Sequence, residues 1–131
     1  MMKLETMQPD PTWEPEGVDD AIETFQAVAT EVTIKVWGGD WCKDCTNQLP
    51  AFAAALQAAG IDPTITEHFL VEKDEDGNKH GPMVREYDIS LIPTIVIERN
   101  GNEVARFVES AEKPAIVELA NQLTLTRETH D

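Results

Sequence analysis

Trp41-Cys42-Lys43-Asp44-Cys45 contains both cysteines of this 131-residue chain. They stand three apart where a buried strand hands over to a helix, so the two sulfurs share one turn and can close a small disulfide ring and reopen it. A thiol at a helix start faces the positive end of the backbone dipole and amides without helical partners, which favour the thiolate. Thiolate is the form that attacks disulfides. Lys43 would stabilise that charge on Cys42, and Asp44 would oppose it. The pair could instead be half of a zinc site or two ligands of an iron–sulfur cluster, but such sites want four ligands. His68, His80 and His130 are scattered without ligand spacing. Asp74-Glu75-Asp76-Gly77-Asn78 looks like a calcium loop, yet Lys79 stands where that loop needs glycine, so it reads as a charged loop. No glycine-rich phosphate loop and no Ser/His/Asp grouping is legible.

The elements that must position the cysteines follow from apolar periodicity. Val18, Ala21, Ile22, Phe25 and Val28 recur at helical spacing, with Asp19 and Asp20 suited to the start. Val32, Ile34 and Val36 alternate with Thr33 and Lys35 and lead into Trp37 and the turn Gly38-Gly39-Asp40, a strand then a bend. A helix is expected from about Cys42 to Ala59, closed by Gly60 and kinked at Pro50. Ile65 to Val71 reads as a second strand, Glu72 to Pro82 as a polar solvent loop, and Met83 to Tyr87 as a short helix. Leu91 to Ile97 is a dense β-branched run; Arg99-Asn100-Gly101-Asn102 is a hairpin turn, and Val104 to Val108 the returning strand. From about Lys113, Ile116, Leu119, Ala120 and Leu123 mark a closing amphipathic helix with Pro114 in its first turn. Trp37 belongs to the core on this reading, and Trp41 to the site rim.

This order resembles the thioredoxin superfamily at three points in register over residues 31 to 126. They are WCxxC at a strand-to-helix junction, Pro50 five residues beyond the second cysteine, and Ile92-Pro93-Thr94 ahead of a strand and an Asn-Gly hairpin. Asp44 is similar to the WCxDC branch. The resemblance implies an α/β fold with a central mixed sheet of about four strands flanked by helices, plus an extra N-terminal helix. It implies Cys42 as nucleophile, Cys45 as resolving thiol, and Pro93 as a cis-proline whose neighbour Ile92 offers backbone groups to the substrate chain. Trp41 would shield the pair. Where the family buries an aspartate in the first strand this chain has Lys35, and the loop from Glu72 to Pro82 is longer than the family's, so a base for Cys45 and the choice of partners stay open.

Composition bounds the rest. At 41% hydrophobic and 27% charged, the chain can build one core without staples. We expect a flexible arm over residues 1–16, which holds Pro9, Pro11 and Pro15, and one domain over 17–131. No stretch has signal-peptide or membrane-span character, and a cytoplasmic location is expected. The net charge of -15 argues against nucleic acid or an anionic membrane as partner and suggests a salt-rich cytoplasm. The function expected is reduction of protein disulfides by a monomer with no cofactor and no metal, recycled by an external disulfide reductase. A redox-sensing or partner-binding module with little turnover is the alternative, and a metal-binding domain a third reading.

Overall fold

The computed structural model describes residues 7–14, 17–39, 42–61, 65–76, 78–108 and 114–129. Helix α1 (Asp19–Val28) buries Ala21, Ile22, Phe25 and Val28, the predicted stripe except for Val18, which is the half-buried N-cap residue ahead of the helix. Strand β1 (Val32–Gly38) follows, then helix α2 (Lys43–Ala58), which runs through Pro50 and ends before Gly60, whose φ is 71°. Strand β2 (Thr66–Leu70) is joined through two short strands, β3 (Glu72–Lys73) and β4 (Lys79–His80), to strand β5 (Thr94–Arg99). Strand β6 (Asn102–Val108) and helix α3 (Ala115–Thr129) close the order.

The main sheet runs β2-β1-β5-β6, with β1 parallel to β2 and antiparallel to β5, and β6 antiparallel to β5. It is the mixed four-stranded sheet expected. Asn100 and Gly101 have φ of 54° and 80°, the pair of left-handed residues that lets a two-residue hairpin follow the twist of its strands. Alternation along β1 puts Val32, Ile34 and Val36 on one face, where they join Leu49, Phe52, Leu119 and Leu123 in one core. The rings of Phe25 and Phe52 meet edge to face there, their centroids 6.5 Å apart. The other face presents Lys35 and Trp37. Trp37 is fully buried, between Phe69 at 4.7 Å and Tyr87 at 4.9 Å.

Two stretches depart from expectation. The run from Glu72 to Pro82 is a small hairpin, with Glu72 opposite His80 and Lys73 opposite Lys79. Its turn is built by Asp74, whose Oδ1 accepts the Asp76 and Asn78 N–H groups at 2.9 Å each and whose Oδ2 meets His80 Nε2 at 2.7 Å. A polar composition hides such a hairpin because one side chain supplies the turn's hydrogen bonds. Gly81 returns so close to β2 that a Cβ there would stand 2.8 Å from the Leu70 carbonyl oxygen. Met83 to Tyr87 is a run of turns, not a helix. Met83 (φ 56°) and Asp88 (φ 55°) are left-handed, a conformation that a right-handed helix cannot contain.

In the N-terminal stretch, Met7 is buried against the core and the Asp10 N–H donates to the Pro50 carbonyl at 3.1 Å.

Candidate active site

The parallel strands β1 and β2 end at the same edge of the sheet, where the Val71 N–H donates to the Gly38 carbonyl at 2.8 Å. The chain leaves β1 through Gly39, whose carbonyl takes the Cys42 N–H at 3.0 Å, and enters α2 at once. Cys42 is the N-cap of α2. It has extended backbone, and its sulfur accepts the Cys45 N–H at 3.2 Å, one of the amides that a helix start leaves without a partner. Its carbonyl accepts both the Thr46 N–H and the Thr46 hydroxyl at 3.0 Å, which fixes the first turn. Both thiols are free in the structure.

The two sulfurs differ in environment. Cys42 retains 7% exposure and Cys45 none. Burial pushes the Cys45 thiol well above its ordinary range, and its hydrogen bond to Cys42 pushes the same way, against a backbone hydrogen bond from Gly39 that acts downward. Asp44 adds to the upward shift through its charge. Lys43 is exposed and Asp44 half-buried. Opposite the pair, the Ile92–Pro93 peptide bond is cis, as the resemblance implies, and both residues are buried. The Cys42 S–H donates to the Ile92 carbonyl at 3.7 Å. The fold therefore brings Cys42, Cys45, Ile92 and Pro93 together; Trp41 lies outside the described residues.

Lys35 is not brought to the thiols. Its ammonium donates to Glu67 at 2.9 Å, stands 3.6 Å from Glu98, and lies 5.7 Å and 5.8 Å from the ring centroids of Phe69 and Tyr87. Tyr87 closes the group by donating to Glu98 at 2.7 Å. Burial alone would lower the Lys35 pKa, but the Glu67 hydrogen bond and the surrounding negative charge outweigh it and hold the value above the ordinary one. Among the described residues, no three His, Cys, Asp or Glu side chains are grouped as a metal site would require. The residue that sequence reading passed over is Thr94, the buried polar side chain beside Pro93. Its place in the Ile92-Pro93-Thr94 triplet was the available signal.

A mixed sheet with two free cysteines on the first turn of the helix that follows an inner strand, the first of them its N-cap, defines a thioredoxin-fold dithiol protein. Residues 19–122 match the family model for thioredoxin, and the chain belongs to that family. A thioredoxin of Chlamydia caviae is 24% identical over 101 residues, covering 76% of this chain and 91% of that protein. Similar solved structures include a Pseudomonas aeruginosa protein of unknown function (20% identity, 83% of this chain and 73% of that one, TM-score 0.51). A mutant thioredoxin from Halobacterium salinarum is another (16% identity, 95% of each chain, TM-score 0.45). Family membership and the Cys42/Cys45 pair together support a thiol–disulfide oxidoreductase-like role.

Proposed function

We propose that this protein reduces disulfides in other proteins, with Cys42 as nucleophile and Cys45 as resolving thiol. The observation that carries this is the asymmetry at the α2 start. One sulfur receives an N–H donor at the helix cap and keeps some exposure; the other is sealed in the core and retains its proton. The Cys42 thiolate attacks one sulfur of the substrate disulfide, the substrate S–S bond breaks, and the departing sulfur takes the electron pair and a proton. Cys45 then loses its proton and attacks Cys42, expelling the second substrate thiol and leaving the Cys42–Cys45 disulfide. Two electrons and two protons have moved to the substrate, and an external disulfide reductase restores the dithiol. Trp41, Lys43, Asp44, Ile92 and Pro93 shape the approach.

We place the protein in a reducing cytoplasm, where such a pair runs as reductant, and take it to act as a monomer without cofactor. In the described residues no helix is long and apolar enough to cross a membrane.

Turnover of a model protein disulfide with excess dithiothreitol tests the assignment. Wild type should complete many cycles, Cys42→Ser none, and Cys45→Ser should accumulate a mixed disulfide on Cys42. Absence of catalysis by the wild type, with reversible oxidation of the pair intact, would overturn it in favour of the redox-sensing reading.

A further inference from the structure

We infer that the Thr94 hydroxyl is a positioning group for the reacting sulfur: it holds the Ile92 carbonyl against Cys42. The inference rests on the proposed role of Cys42 and adds a residue that acts through another.

Residues 90–93 carry the carbonyl that meets Cys42, yet they belong to no helix or strand. Pro93 has no N–H to donate. Ile92 and Pro93 are packed against the core, but Leu91, at 42% exposure, is not, so side-chain packing leaves the start of the loop unheld. Among the described residues, two hydrogen bonds involve this stretch: the Cys42 S–H to the Ile92 carbonyl, and the Thr94 hydroxyl to the Leu91 carbonyl at 2.6 Å. The second spans the two residues in question and closes a turn over them. Thr94 is 1% exposed, and a hydroxyl so placed has a strong reason to keep its acceptor, because either group left alone in the core is penalised.

The other end of the connecting segment is tied from the same rung of the sheet. Thr94 pairs across β1–β5 with Trp37, whose indole N–H donates to the Pro82 carbonyl at 2.8 Å. Two buried neighbours on adjacent strands thus hold the segment at its start and finish. The strand pairing that sets β1 also sets the distance from Ile92 to the cysteine turn.

Two substitutions separate this role from plain packing. Thr94→Val keeps the branched shape and removes the hydroxyl; Thr94→Ser keeps the hydroxyl and removes a methyl. In a Cys45→Ser background, so that Cys42 is the only thiol, iodoacetamide should alkylate Cys42 about fivefold faster in the Val variant, the effect of losing one buried hydrogen bond. Thr94→Ser should stay close to the parent. In the two-cysteine protein, kcat/KM for disulfide reduction should move the other way, Val well below Ser, because a sulfur released from the Ile92 carbonyl is easier to alkylate but is no longer aimed at the substrate disulfide. If Thr94→Ser is impaired as much as Thr94→Val or more, or if Val matches the parent in alkylation, packing explains the residue and the inference is wrong. Because alkylation needs no turnover, a wild type that fails to reduce disulfides refutes the proposed function and leaves the Thr94 comparison able to decide its own case.

Discussion

We expect Cys45 to set the tempo of the proposed cycle, because it must give up a proton from a buried position. Its upward influences behave differently through the cycle. Burial and the Asp44 charge persist, whereas the hydrogen bond and charge supplied by Cys42 end once that sulfur is linked to substrate. The raised value has a sign for stability as well. A folded-state pKa above the ordinary 9.0 means that the folded form favours the protonated thiol, a contribution fully present below that pH and lost as pH rises through the folded value. Kinetically, release of reduced substrate from a preformed Cys42 mixed disulfide should accelerate about tenfold per pH unit, the slope of a thiolate-limited step, and continue to rise past 9.0. Rapid-mixing measurements of thiol release would check it; a plateau near neutrality would show that something near Cys45 already takes its proton.

At the scale of elements, the sheet face beneath Tyr87 is organised by one cation. Lys35 lies between β2 and β5 and serves Glu67 and Glu98 at once, with the Lys35 and Glu98 side chains each 12% exposed. Removing the ammonium leaves Glu98 largely buried with only the Tyr87 hydroxyl, so Lys35→Met should cost about 2 kcal/mol in urea unfolding, discounted from a fully buried pair because Glu67 faces solvent. Adding Glu98→Gln should recover part of that loss. The raised Lys35 pKa makes this contribution complete below 10.5 and lost as pH climbs through the higher folded value, so the gap between variant and wild type should narrow only in strong alkali. A variant as stable as wild type at pH 7 would show that the group adds nothing to the sheet.

The molecule as a whole carries 25 acidic residues against 10 Lys and Arg, a self-repulsion that low salt leaves unscreened. We expect the melting temperature to rise steadily into molar KCl; scanning calorimetry showing no rise would remove the case for a salt-rich setting. The cysteine turn, the Asn100-Gly101 hairpin and the helical stripes were readable in advance because each depends on neighbours a few residues away in the chain. Spacing sets which sulfurs share a turn, and glycine chemistry sets where a strand reverses. Other features required distant chain segments to meet. Lys35 could be named as an oddity, but its partners come from β2 and β5; the Asp74 hairpin hid behind a polar composition; and the left-handed Met83 broke an expected helix. Thr94 gains its importance from the Leu91 carbonyl and from a sulfur 52 residues earlier in numbering, across the sheet. Local covalent order was enough to announce a dithiol, because the two thiols belong to one turn. Burial raises the proton affinity of Cys45, and long-range pairing decides what stands opposite the pair, so the site's asymmetry existed only once the sheet had closed.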